Sequence, residues 1–400
     1  MAETLQSSLP RDVTFVLSVI LCEIFLFGSG QLLHVGPLTV RMCFYGGILL
    51  YILLNLGYTR VIDREAGILV LAFLALTTCA IVIGFVNGAD VADMGVDVKP
   101  HLFFLTLPFF IAVIRDDATI QLIARLLRRC GLALAIGYLV VLLLLRNGII
   151  PFTPFYLLTT ATGEVLFRGS GGFFIYKGFL YLGIAFFFYA THQGWFSKFA
   201  ALLILVALVL TLTRGFVLSL ALVGIIWSIK KAPLWWTIVL VVFILLTLLV
   251  VWPWVSDTLV DRTSSNITRI SDIKTVFGGI TPLSLFVGHG LGTNIGMRGL
   301  RIEPTYLELL QKQGFLGLTL WGSIAGLLIR DLRRAKAVGR EDELLPFFLG
   351  AMYVYVQTAT NPFLTDSMGM SVVFIALAVG RVTAKPVKTL AVPSVYLSPL

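Results

Sequence analysis

The residues best suited to chemistry in this chain are a few arginines and one glutamate set where apolar segments end. In Thr211-Leu212-Thr213-Arg214-Gly215-Phe216 two strongly apolar runs meet at a tip carrying a single arginine. Its neighbour, Gly215, lets another group approach the backbone. A guanidinium presents a planar fork matched to phosphate oxygens, which lysine cannot copy. Arg168-Gly169-Ser170-Gly171-Gly172 sets a cation and a run of backbone N–H groups directly before an expected helix, with Lys177 about one turn inside it. A helix N-terminus of that kind suits an anion. Arg41, near the start of its own apolar run, is either a further anion ligand or a side chain that snorkels to the surface. Arg298, Arg301 and the helix start Glu303-Pro304-Thr305-Tyr306 close the set. Glu303 is either a proton acceptor or simply an anion that complements the helix dipole.

The surroundings are those of a membrane. With 58% hydrophobic and 13% charged residues in 400 and a mean hydropathy of +0.96, the chain has too little polar surface for water. The expectation is an all-α polytopic membrane protein, a single transmembrane domain over 1–400. Apolar runs recur at about 13–33, 36–57, 66–87, 99–114, 130–146, 173–191, 196–212, 214–229, 234–252, 305–329, 343–360 and 367–384, which makes about 12 spans. The run at 99–114 is short enough to be re-entrant. Arg11, Arg60, Arg64, Arg115, Arg125, Arg128, Arg129, Lys198, Lys230, Lys231, Arg330, Arg333, Arg334, Lys336, Arg340, Arg381, Lys385 and Lys388 fall in every second loop. By the positive-inside rule both termini are then cytoplasmic. The net charge of +9 is explained by that topology and gives no support to nucleic-acid binding.

The remaining cations lie on the opposite face, where a charge in hydrocarbon costs on the order of 2.5–3.5 kcal/mol and needs a reason. Arg146 and Lys99 sit at span ends and can snorkel, while Lys312 follows Glu308 by four residues and is expected to pair with it. Cys22, Cys43, Cys79 and Cys130 lie in or beside spans and read as small buried apolar residues. His34, His101, His192 and His289 are scattered without metal-ligand spacing, and no cofactor is expected.

Two outer loops are long, 147–172 and 253–304. Within the second, Ile267, Ile270, Ile273 and Phe277 recur at helical spacing while Arg269, Asp272 and Lys274 face elsewhere, so a short interfacial helix is expected there. Trp252 and Trp254 flank Pro253 at its entrance.

The chain resembles the bacterial O-antigen polymerase and ligase family. The resemblance rests on Thr213-Arg214-Gly215 opening a span, the long outer loop, the Gly288-His289-Gly290-Leu291-Gly292 cluster, and the Glu303 to Gly317 helix with its Tyr306-Leu307 and Gly314-x-x-Gly317. Asn361-Pro362-Phe363-Leu364 before the last span also fits. The resemblance implies a GT-C-like membrane glycosyltransferase of the bacterial inner membrane. It would be metal-independent and inverting, joining undecaprenyl-pyrophosphate-linked repeat units into a surface polysaccharide on the periplasmic side. Arg214, Arg301, Arg298, Arg168, Lys177 and Arg41 would hold the pyrophosphate, and Glu303 would be the base, with Asp257, Asp261 and Asp272 as rivals. Tyr306, Asn294 and His289 would meet the glycan. Partners implied are the donor and acceptor glycan lipids, membrane lipid and a chain-length regulator. Ligases of the family carry histidine where this chain has Glu303, which ranks the ligase second. A lipid or glycan transporter remains the reading from another class, although no internal repeat supports it.

Overall fold

The computed structural model describes residues 11–35, 38–55, 63–168, 173–231, 263–294 and 302–386. Helices dominate. In chain order they are α1 (Arg11–Leu26), α2 (Val40–Asn55), α3 (Arg64–Val86), α4 (Val91–His101), α5 (Leu107–Val113), α6 (Asp117–Arg146), α7 (Phe152–Thr160), α8 (Leu180–Ala190), α9 (Trp195–Leu210), α10 (Arg214–Lys231), α11 (Thr263–Gly279), α12 (Pro282–Val287), α13 (Thr305–Ala337), α14 (Glu341–Gln357) and α15 (Ser367–Thr383). Two small antiparallel hairpins interrupt them, β1 (His34–Val35) with β2 (Leu38–Thr39), and β3 (Val165–Arg168) with β4 (Phe173–Tyr176).

The bundle is organised around α8 and α15, which are apolar on every side and therefore interior. Nearly every residue from Ser367 to Gly380 is buried, as is almost all of Leu180–Tyr189. Gly369 has the Phe363 carbonyl oxygen only 2.1 Å from where a Cβ would sit, so the connection before α15 folds directly onto its first turn. The outer helices do the reverse. Leu53, Leu71, Phe85, Leu143 and Phe199 are all more than half exposed, as lipid-facing side chains must be. Arg64–Val86, Val91–Val113, Asp117–Arg146 and Thr305–Ala337 are long and apolar enough to cross a membrane.

Eleven of the expected apolar runs fall on helices, and the run at 234–252, with Trp252, Pro253 and Trp254, lies outside the described residues. Several boundaries differ for physical reasons. The first helix stops at Leu26 rather than 33, because Gly28 and Gly30 take positive φ (58° and 87°) and turn the chain. The short run at 99–114 belongs to a longer path, α4, a 3₁₀ turn at Leu102–Thr106, and α5. The run at 173–191 is helical only from Leu180. Phe173-Phe174-Ile175-Tyr176 has the aromatic and β-branched character of a strand and pairs with Val165–Arg168. Arg168 therefore ends a strand and does not lead into a helix, contrary to expectation. Two cysteines also depart from it: all four are free thiols, but Cys43 and Cys79 are exposed.

The glycine cluster explains itself in packing. Gly288, Gly290 and Gly292 have φ of 79°, 93° and 78°. A Cβ on Gly290 would meet the Gly84 nitrogen at 2.0 Å, and one on Gly84 would meet the Leu291 carbonyl oxygen at 2.1 Å. Gly314, at φ 64° and ψ −159°, kinks α13, where a Cβ would meet the Phe286 carbonyl at 2.4 Å. Backbone packs on backbone at each contact. Beneath the cluster Lys312 Nζ donates to Glu308 Oε1 at 3.0 Å, as expected, and also to Asp97 Oδ1 at 2.7 Å. Asp97 Oδ2 accepts from the Gly292 N–H at 2.7 Å.

Lys312 and Asp97 are essentially inaccessible (2% and 1%), and stripping one member from a buried ion group costs about 3–5 kcal/mol. Lys312→Met is expected to lower the thermal unfolding temperature markedly, and the triple variant with Asp97→Asn and Glu308→Gln to recover much of the loss. Equal melting of wild type and Lys312→Met would contradict the assignment.

Candidate functional site

At the end of the bundle where α10, α13 and α15 begin, a cavity of about 540 Å³ opens between five chain segments. Leu166, Ile175 and Lys177 come from the β3–β4 hairpin and its exit. Thr213, Arg214 and Gly215 come from the start of α10, Arg269 from α11, Glu303 from the turn into α13, and Thr360, Asn361, Pro362 and Asp366 from the α14–α15 connection.

Arg214 is placed by a sharp turn. Thr211 Oγ1 donates to the Leu208 carbonyl at 2.7 Å, Leu212 takes φ 52°, and α10 then starts at Arg214 itself. A cation in the first helical turn opposes the dipole, and α10 has no acidic residue there to offset it. Arg214 is exposed and makes no side-chain hydrogen bond with the described residues; Lys177 is half-buried and makes none either. Gly215 fulfils its expected role, since a Cβ there would lie 3.0 Å from both Gln357 Nε2 and Thr360 Oγ1. The approaching group is the polar end of α14, which Ser219 also holds through a 2.7 Å bond to Gln357 Oε1.

Glu303 is held from the long loop. The amphipathic helix expected there is α11. Its Ile267, Ile270, Ile273 and Phe277 are exposed, while Val276 packs with Ile302 and Leu307. That contact sets Arg269 against Glu303, with Nε and Nη2 donating to Oε2 at 3.0 and 2.7 Å.

Among the described residues, the remaining expected site residues are dispersed. Arg41 lies not at the cavity but buried beside it. Its Nε meets both Glu23 oxygens at 3.1–3.2 Å, and Nη1 donates to the Gly28 carbonyl at 2.7 Å and to Ser367 Oγ at 2.9 Å. Burial and this full set of acceptors account for it without an external anion. Tyr306 donates its hydroxyl to the Tyr355 carbonyl at 2.7 Å, so that group serves helix packing. His289 fastens the glycine cluster: its N–H donates to the Gln311 carbonyl at 2.7 Å, its carbonyl accepts from Asn87 Nδ2 at 2.8 Å, and its Nε2 lies 3.2 Å from the Gly279 carbonyl. Asn294 is exposed and does not line the cavity. Asp272 is buried in α11 and does not line the cavity. Arg298, Arg301, Asp257 and Asp261 lie outside the described residues, as does the side chain of Arg168.

Sequence reasoning misses Asp366. Its carboxylate lines the cavity and caps α15, accepting from the Ser367 N–H at 2.6 Å. The signal was present in Thr365-Asp366-Ser367 just before an apolar run, the pattern of a helix start at the level of Arg214. Arg269 reads from the sequence as an outer-face cation, and no periodicity pairs it with Glu303 across 34 residues.

No family model matches the chain. It is 24% identical over 369 residues, 91% of its own length and 94% of the relative's, to the O-antigen polymerase of Shigella flexneri. This similarity spans nearly the whole of both proteins and bears out the resemblance to the O-antigen polymerase family.

The Arg269–Glu303 pair is about one-third exposed on each side, so it adds no more than about 1 kcal/mol to global stability. Arg269→Ala is expected to leave the melting temperature almost unchanged while exposing 263–279 to limited proteolysis. A digestion pattern identical to wild type would contradict a tethering role.

Proposed function

We propose that the chain is a membrane glycosyltransferase that polymerises lipid-linked oligosaccharide repeat units into a surface polysaccharide. The observation that carries this is the convergence of Arg214, Lys177, Glu303 and Asp366 on one cavity at one end of an apolar bundle. The name of the Shigella relative supports the same activity. The substrates are a glycan donor on a polyprenyl pyrophosphate, taken as undecaprenyl, and an acceptor unit on the same carrier. The finer topology follows the sequence: about twelve spans in a GT-C-like arrangement within the bacterial inner membrane, both termini cytoplasmic, and the cavity periplasmic.

The leaving group is a pyrophosphate, whose negative charge grows as the glycosidic bond breaks. Arg214 and Lys177 are placed to stabilise it, because neither is committed to a described carboxylate and Arg214 stands at a helix N-terminus. The acceptor hydroxyl attacks the anomeric carbon, the bond to the pyrophosphate oxygen breaks, and the hydroxyl proton passes to a carboxylate. Attack from the face opposite the leaving group inverts the anomeric centre. Glu303 is assigned as that base, oriented by Arg269, with Asp366 joining the loop aspartates Asp257 and Asp261 as its rivals. Arg298 and Arg301 remain candidates for the second phosphate, and Arg168 stays with the hairpin beside the cavity. No metal is assigned a part, and chain length would be set by a separate regulator.

Arg214→Lys keeps the charge and loses the fork. It is expected to give normally inserted protein with glycan chains cut to one or a few units, and chains of wild-type length on gels would remove Arg214 from the phosphate site. Glu303→Gln is nearly isosteric, so stable protein without polymerisation is expected. Unchanged chain length would transfer the base to Asp366, where Asp366→Asn is then the variant that must fail.

A further inference from the structure

A second polar cavity lies at the other end of the bundle. The two are separated by the length of α15: Asp366, before its first residue, lines the first cavity, while Ala378, Arg381, Val382 and Lys385 line the second. A 17-residue helix spans about 25 Å. This second cavity has a volume of about 830 Å³ and is built from the start of α3, the end of α5, the last turns of α13 and the end of α15.

Its charges divide into two sets. The carboxylates are already matched. Arg330 holds Glu65 with both terminal nitrogens, at 2.6 and 2.9 Å, and Asp331 at 2.8 Å, while Arg381 pairs with Asp63 and lies 3.5 Å from Glu65. Arg64, Arg115, Arg334 and Lys385 are exposed in the same lining and make no side-chain hydrogen bond or ion pair with the described residues. Six cations against three carboxylates leave this cavity at a formal +3. Topology explains why basic residues gather at this end of the bundle. It does not explain why four separate segments each deliver a cation to one hollow. Nor does it explain why the same segments also line the cavity with Ile111, Ile114, Ala378 and Val382. A lining that mixes cations with apolar side chains matches an amphiphile whose phosphate meets guanidinium forks and whose chain lies on hydrocarbon.

We propose that this cavity binds the phosphate-bearing headgroup of an anionic membrane phospholipid, with Arg115 and Arg334 as its principal ligands. This inference depends on the chain being a membrane protein and not on the glycosyltransferase reading. A free phosphate would satisfy the cations alone and would leave the apolar lining residues unused.

The test uses the purified full-length protein in a neutral detergent, with lipid retention read by native mass spectrometry and protection by thermal unfolding. Cardiolipin and phosphatidylglycerol are expected to be retained and to raise the melting temperature, with phosphatidylcholine and inorganic phosphate doing neither. Arg115→Gln with Arg334→Gln is expected to weaken retention by about tenfold or more, as loss of two forks near the lipid surface should. Arg125→Gln with Arg129→Gln, which removes two basic residues of α6 outside the cavity, is expected to leave retention unchanged. Equal losses in both double variants would reduce the effect to surface charge and overturn the site. So would protection by inorganic phosphate equal to that by cardiolipin, or indifference of the wild type to all four additives.

Discussion

The position of the candidate site depends on a buried ion group. Lys312, between Asp97 of α4 and Glu308 of its own helix, ties α13 to α4 where neither carboxylate has water to turn to. Such a group adds little net stability over an apolar packing, but it admits few alternatives, because any shift strands a charge. Asp97 also receives the Gly292 N–H, so the same group fixes the glycine cluster. His289 of the cluster sets its Nε2 3.2 Å from the Gly279 carbonyl at the end of α11, and Arg269 of α11 holds Glu303 at the cavity. Arg214 reaches the same cavity through the turn at Leu212.

Two further buried networks among the described residues divide the work. Glu164, fully buried, accepts from the Ser29 and Gln31 N–H groups and from Ser29 Oγ, which fastens the turn after α1 to the β3–β4 hairpin. Glu23 and Arg41 fasten that same turn to Ser367 at the start of α15. Together they hold the hairpin bearing Lys177 and the helix start bearing Asp366. Of the cations that line the cavity, Arg269 is paired with Glu303, while Arg214 and Lys177 have no described carboxylate to neutralise. A buried, paired arginine and an exposed, unpaired one are indistinguishable by residue type, yet only the second is available to a phosphate.

Much of this architecture is legible in the sequence, because lipid imposes long apolar runs and the interfacial helix α11 shows its stripe at Ile267, Ile270, Ile273 and Phe277. Arg214 and Glu303 stand out for the same reason, as charges at the ends of such runs. What sequence reasoning misses is long-range. The strand character of Phe173–Tyr176 becomes decisive only when Val165–Arg168 lies beside it. The burial of Arg41 requires Glu23 and Ser367, which are 18 and 326 residues away. Tyr306 shares a helix with the site and still turns its hydroxyl to Tyr355, since a phenol in an apolar bundle takes the nearest carbonyl. The glycine cluster has the look of a ligand loop, but its glycines are required by the close approach of the Lys312–Gln313 backbone, Gly84 and Met94.

The central claim is that the cavity at Arg214 lengthens a glycan on a lipid pyrophosphate, and purified protein settles it most directly. Incubated in detergent with a single lipid-linked repeat unit and no other protein, the chain should produce oligomers of two or more units and release polyprenyl pyrophosphate in proportion to the bonds formed. Recovery of the repeat unit unextended, with protein that is folded and binds it, would contradict the account.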